Sequence, residues 1–305
     1  MKTDTTAPAI HTLGLSKTFG EVQALADLDL EVRRGEVFGF LGPNGAGKTT
    51  MIRTVLDLIR PTRGTSRILG LDSRRDSVEI RRHIGYLPGD LAMYPKLTGK
   101  DTLTYFANLR GGVDWAYVHE LADRLNADLG KKIADYSTGN RQKVGLIQAF
   151  MNRPELIIMD EPSTGLDPLV QQEFQAMMRE LAEQGHTVFL SSHTLSEVQR
   201  SADRVGIIRS GQLIDVESVH DLRSKAIRRV ELVFDAPVPA GDFADIVGAR
   251  DVEAHEHSVR LSFDGNMDEL LGVATGRHHL IDINSEEADL EEIFLAYYRD
   301  PGASA

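Results

Sequence analysis

Six residues from Glu36 to Leu41 (EVFGFL) read as a buried strand, and Gly42-Pro43-Asn44-Gly45-Ala46-Gly47-Lys48-Thr49 follows at once. The octet matches G-x-x-x-x-G-K-[ST], and Gly47 to Ile59 then reads as a helix that Pro61 stops. This order constrains the fold more than anything else in the chain. The glycines let backbone N–H groups turn inward around one anion, and the helix start adds its positive dipole end. Lys48 is placed to reach β- and γ-phosphates, and the Thr49 hydroxyl to ligate Mg²⁺. The plain alternative is a glycine-rich turn joining strand to helix; the motif in its strand–helix context argues against it.

Further short apolar runs lie at Leu156 to Met159, Val188 to Ser191 and Val205 to Ile208, with amphipathic stretches such as Pro168 to Gln184 between them. Strands alternating with helices predict a parallel sheet covered by helices. From Thr98 to Met151 the pattern turns almost wholly helical, with Thr98 a cap and Leu103, Phe106 and Leu109 on one face. The expectation is an α/β phosphate-loop core with a helical subdomain inserted at about 90–150. A boundary is expected near Lys225 to Arg229, giving a first domain over 1–227. The remainder, 228–305, reads as a small α/β domain, with strands at Val230 to Phe234, Val252 to Glu256, Val259 to Phe263 and His279 to Ile283. Helices fit Met267 to Ala274 and Glu286 to Tyr298.

Composition narrows the function classes. A formal net charge of −12 argues against a nucleic-acid partner, since proteins that neutralise phosphate backbones are usually basic. With no cysteine, disulfides and cysteine–metal sites are excluded. The N-terminus carries no apolar run of signal-peptide length, and nowhere do about 18 apolar residues run together, so any membrane span must come from another chain. His255, His257, His278 and His279 have no spacing that fixes a pair on a helix face, which argues against a metal site there.

Asp160 and Glu161 close the run LIIMDE, which places two acids where a parallel sheet opens on its ligand crevice. Beside a phosphate loop, Asp160 is a candidate to hold Mg²⁺ through water, and Glu161 a candidate general base for an attacking water. Alone, the pair would read equally as a cap on the next turn.

The phosphate loop is followed in order by YSTGNRQK (Tyr136 to Lys143), DEPSTGLDP (Asp160 to Pro168) and SSH ending at His193. This order and spacing resemble the ATPase domain of ABC transporters over about residues 10–225. The resemblance implies an ATP- and Mg²⁺-dependent ATPase working as a head-to-tail dimer with a second copy, docked on an integral membrane permease. It places the chain in the cytoplasm, at the inner face of the cell membrane. Each ATP then lies between the phosphate loop (Gly42 to Thr49, with Thr50) of one copy and the signature loop (Ser137, Thr138, Gly139) of the other. A small Ser-x-Gly turn at a helix start offers N–H and hydroxyl donors to a γ-phosphate; read alone, the segment is an N-capped helix start. The family usually carries LSGGQ here, so Thr138 replaces a glycine and Asn140 the glutamine.

The resemblance also implies roles for Asp167 in the loop crossing the dimer axis, His193 as the γ-phosphate switch, and Phe19 as a stack for adenine. Phe19 by itself could equally be core. Relatives usually carry a glutamine after a strand like Ile84 to Pro88; here Gly89 stands there, followed by Asp90. The C-terminal run Asp289 to Phe294 resembles the extension of ATPases paired with drug- or lipid-exporting permeases; it also reads as an amphipathic helix closing a small domain. The permease groove is expected between Gly89 and Leu109, with Asp90, Tyr94 and Leu97 lining it. A non-catalytic module is disfavoured by the intact Lys48, Asp160, Glu161 and His193. One ATPase domain disfavours translation-associated relatives. The absence of inserted coiled coils and zinc cysteines disfavours chromosome ATPases.

Overall fold

The computed structural model describes residues 6–224 and 228–286. It divides into two compact units, 1–219 and 220–305. Of the helix expected over Glu286 to Tyr298, Glu286 is described and ends a strand; the rest, with Asp289 to Phe294, lies outside the described residues.

The first unit opens on β1 (Ile10–Phe19) and β2 (Val22–Val32), two long antiparallel strands that sequence reading did not anticipate. β3 (Val37–Leu41) is buried throughout and feeds α1 (Lys48–Val55). That helix ends short of the expected Ile59, because Asp57 takes a left-handed backbone at φ 54°. β4 (Arg63–Ile68) and β5 (Leu71–Asp72) join β1 and β2 in an antiparallel sheet of order β2-β1-β4-β5. α2 (Ser77–His83) then leads into β6 (Ile84–Leu87).

The helical insertion comes next. α3 (Gly99–Leu109) starts at a reciprocal cap: Thr98 Oγ1 accepts from Asp101 N at 3.0 Å, and Asp101 Oδ2 accepts from Thr98 N at 3.3 Å. Leu103 is buried and Phe106 half-buried, but Leu109 is 67% exposed and leaves the expected apolar face. It is the last residue of the helix, where no neighbouring turn covers it. α4 (Trp115–Arg124) is capped by Asp114, and α5 (Thr138–Phe150) by Ser137, whose Oγ accepts from Asn140 N. Leu103, Val118, Leu121, Val144 and Phe150 pack into one cluster with Phe174 and Met178, so the insertion shares a core with the sheet.

β7 (Leu156–Asp160), α6 (Pro168–Glu183), β8 (Thr187–Ser192), α7 (Leu195–Ser201), β9 (Arg204–Arg209) and β10 (Gln212–Ser218) complete the run, and α8 (Val219–Ser224) starts at the division between the units. The central sheet has order β10-β9-β3-β8-β7-β6, parallel except for β10 at one edge. β7 and β8 are buried on both faces, as a parallel sheet covered by helices requires. Leu41 pairs with Ser192, and Asp160 with Ser191, so this register makes three strands end together on one edge.

The second unit contains β11 (Arg228–Phe234), α9 (Gly241–Ala244), β12 (Ala249–His255), β13 (Ser258–Phe263), α10 (Met267–Arg277) and β14 (Leu280–Glu286). Its sheet is antiparallel in order β12-β13-β11-β14, a split β-α-β arrangement of ferredoxin-like kind. Alternate residues Val230, Leu232 and Phe234 of β11 meet Phe243, Leu261, Phe263 and Leu270 in its core. His278 Nε2 lies 2.8 Å from Asp242 Oδ2, so this histidine is engaged in a hydrogen bond within the unit.

Candidate nucleotide-binding site

The glycine-rich octet forms the turn between β3 and α1. Gly45 and Gly47 sit at φ 81° and 110°, backbone that only glycine adopts without strain. A Cβ at Gly47 would stand 2.6 Å from the Ala24 carbonyl oxygen, and one at Gly42 2.5 Å from that of Ile208. Glycine is therefore required here twice over, by dihedral and by close approach. α1 begins at Lys48, so its free first-turn N–H groups face the loop.

Lys48 is 6% exposed. Its ammonium donates to the Gly42 carbonyl at 2.6 Å and the Pro43 carbonyl at 3.2 Å, and pairs with Glu161 Oε1 at 3.1 Å. It is thus curled over the loop it would serve. Thr49 Oγ1 donates to Asp160 Oδ2 at 2.7 Å, joining the loop to the end of β7. Asp160 is 1% exposed, and its other oxygen accepts from Ser191 Oγ at 2.5 Å. A buried carboxylate needs such donors, and the pairing of β7 with β8 delivers Ser191 to it.

Glu161 takes φ 54°, a left-handed backbone that costs a non-glycine residue about 1–3 kcal/mol. Ser191 holds it there: the Glu161 N–H donates to the Ser191 carbonyl at 3.2 Å and to its hydroxyl at 3.1 Å. This conformation turns the side chain off the strand toward Lys48, and His193 Nδ1 stands 2.5 Å from Glu161 Oε2. Lys48, Thr49, Asp160, Glu161 and His193 therefore converge through direct contacts, although they come from three separate segments.

The comparisons with known proteins bear on this constellation. The family model described as "ABC transporter" matches residues 25–164. The bacitracin transport ATP-binding protein BcrA of Enterococcus faecalis is 33% identical over 291 residues, covering 93% of this chain and 94% of its own. The chain belongs to the ABC transporter ATP-binding family. BcrA of Bacillus licheniformis is 37% identical over 209 residues, covering 68% of each chain. A solved ATP-binding subunit of an ABC transporter matches with TM-score 0.64 and 31% identity, over 70% of this chain and 92% of that one. The protein is accordingly an ABC ATPase subunit, and ATP is its nucleotide.

A second cluster forms around the ABC-type signature segment. Ser137 caps α5, and Gly139 lies so close to the next loop that a Cβ would stand 2.5 Å from the Gly165 oxygen. Asp167 caps α6 by accepting from Val170 N at 3.0 Å, and its other oxygen lies 3.7 Å from Lys143 Nζ. That backbone N–H pulls the Asp167 carboxyl below its ordinary range. Gln142 Nε2 donates to the Pro162 carbonyl at 2.8 Å, tying α5 to the loop just after Glu161. Phe19, at the end of β1, is exposed, with the Lys17 ammonium 4.6 Å from its ring centroid. An exposed aromatic face is not a core position, which answers the core alternative.

At the departure from the family pattern, the Gly89 backbone lies against the metal-type carboxylate: a Cβ built there would stand 3.1 Å from Asp160 Oδ2. Any side chain at this position would begin at Asp160, and glycine offers none. Tyr86, three residues earlier, has its phenol pushed up in pKa by burial, with the Asp160 charge adding to the rise. Sequence reading missed Ser191 and Gln142. Ser191 was visible as the first serine of SSH, but its role depends on strand register and carries no local signal.

Proposed function

We propose that this ABC ATPase subunit hydrolyses ATP with Glu161 as general base and drives transport through a separate membrane permease. The observation carrying this reading is the contact chain Lys48–Glu161–His193, with Thr49 and Asp160 beside it. Lys48 would leave the loop carbonyls and Glu161 for the β- and γ-phosphate oxygens. Gly42 to Thr50 would supply backbone and hydroxyl donors to the phosphates. Glu161, released by Lys48, would accept a proton from the attacking water, and His193 would hold the γ-phosphate side of the site.

Thr49 Oγ1 and Asp160 Oδ2 are hard oxygens 2.7 Å apart, a donor set that suits Mg²⁺, which takes one or two protein ligands and completes its shell with phosphate and water. Mg²⁺ bound there would neutralise phosphate charge. Phe19 would stack on adenine. Ser137, Thr138 and Gly139, held by Gly165 and backed by Asp167, would close on the nucleotide of a second copy in a head-to-tail dimer. Among the described residues no helix is long and apolar enough to cross a membrane. The work of hydrolysis would leave through a protein contact at the inner face of the cell membrane.

The docking surface we favour lies in the 89–109 segment. Tyr94 is 57% exposed and meets Tyr105 edge-on at 6.0 Å, while Leu97 is half-buried beside them. Exposed aromatic surface of this kind is what a partner site offers. The direction of transport we read as export, and the named bacitracin transport of the relatives makes bacitracin the first cargo to test. Nucleotide binding is tested with Lys48→Ala: MgATP binding should weaken or turnover vanish, and an unchanged ATPase rate refutes the reading.

A further inference from the structure

Glu197 is a half-buried carboxylate that the proposed hydrolysis scheme does not use. It sits in α7, four residues after His193. Its Oε2 accepts from Ser192 Oγ at 2.6 Å, and that hydroxyl in turn accepts from Thr194 N at 3.0 Å. The residues on either side of His193 are thus pinned through one hydroxyl, for which Glu197 Oε2 at 2.6 Å is a nearer acceptor than the Thr194 carbonyl at 3.2 Å. The Ser163 hydroxyl also reaches the same carboxyl closely enough to pull its pKa down. Ser163 lies two residues beyond Glu161, and its carbonyl accepts from Leu166 N in the turn leading to Asp167. The remaining oxygen, Oε1, is buried with no hydrogen-bond partner among the described residues. Buried acceptors are nearly always satisfied, so one left open beside a hydroxyl and between two working loops calls for a function.

We propose that Glu197 is a positioning residue for ATP hydrolysis, bracketing the turn that carries His193 to the loop just beyond Glu161. Oε1 is the acceptor that the Ser163 hydroxyl takes when that loop settles around nucleotide. This inference rests on the proposed hydrolysis by Glu161. Its physical content is geometric: His193 and Glu161 touch each other at 2.5 Å, but each is carried by a loop, and a common anchor behind both keeps that contact in register. Burial pushes the Glu197 carboxyl up in pKa, the Ser163 and Ser192 hydroxyls pull it back, and the Glu161 charge adds to the rise. Glutamine keeps the shape of the side chain and an acceptor oxygen for the Ser192 hydroxyl, so it should substitute for Glu197.

The experiment compares wild type with Glu197→Ala, Glu197→Gln and Ser163→Ala in the full chain, measuring kcat and KM for ATP hydrolysis, fluorescent-nucleotide affinity and Tm. Glu197→Ala should lower kcat by about 10- to 100-fold, the scale of a small misplacement of catalytic groups. Its nucleotide affinity and KM should stay within about twofold, because the phosphate loop is untouched. Glu197→Gln should restore kcat to within about threefold, since its amide oxygen accepts from Ser192 and its NH₂ donates toward Ser163. Ser163→Ala should lower kcat several-fold and add nothing to Glu197→Ala in the double variant. A folded Glu197→Ala with unchanged kcat, or equal losses in the alanine and glutamine variants, overturns the proposal. So does a fall in Tm with an unchanged rate per folded molecule. If Glu197→Ala does not fold, Ser163→Ala decides alone, and an unchanged kcat overturns it. Glu161→Gln run alongside separates the two readings: if it retains turnover the hydrolysis scheme has failed, and if it does not, the Glu197 result stands on its own.

Discussion

Replacing Glu161 by Gln perturbs two contacts at once, and the structure predicts opposite consequences for turnover and for binding. The amide keeps the shape of the side chain but cannot take a proton. Loss of a general base costs about 10²- to 10⁴-fold in rate, or about 2.7–5.4 kcal/mol of barrier. The same change removes the charge that holds Lys48 at 3.1 Å. Lys48 must leave that contact to meet phosphate, so the ion pair opposes nucleotide binding. With side chains 6% and 22% exposed, the pair sits at the upper end of the range for accessible pairs, about 1 kcal/mol. Removing it should tighten ATP binding by up to about fivefold. Phosphate-release kinetics and titration with a fluorescent ATP analogue, both with Mg²⁺, measure the two effects on one preparation. A rate loss below tenfold refutes Glu161 as the base. ATP binding weakened fivefold or more refutes the ion pair as a brake on binding.

With hydrolysis blocked, Glu161→Gln should also accumulate as an ATP-bound dimer in size-exclusion chromatography, and a monomer at saturating nucleotide counts against the head-to-tail model. In the assembled transporter, Tyr94→Glu should abolish permease association while the free subunit keeps near-normal basal ATPase; persistent association places the docking site elsewhere, and an unfolded free subunit makes Tyr94 a packing residue.

The motifs of this chain were legible because each encodes local geometry. Gly45 and Gly47 announce a backbone that only glycine takes freely, Thr98 with Asp101 announces a helix start, and β3, β7 and β8 announce burial by unbroken apolar runs. The helix starts at Thr98 and Ser137 were readable for the same reason, and the strands of the C-terminal unit to within a few residues. The long pair β1 and β2 was not: their residues meet through register shifts between Thr12 and Thr18 that blur the alternation a strand should show. Leu109 fitted the apolar period of α3 but is exposed, because periodicity names a face and cannot say where the neighbouring core ends. What only the tertiary structure decided is how the site is joined. Asp160 meets Ser191, Glu161 meets Lys48 and His193, and Gly89 lies against Asp160 because four strands from distant parts of the chain end in one register. A parallel sheet places consecutive strand ends together only after long crossovers, so these contacts span over a hundred residues of sequence between Thr49 and Asp160 and leave no local trace.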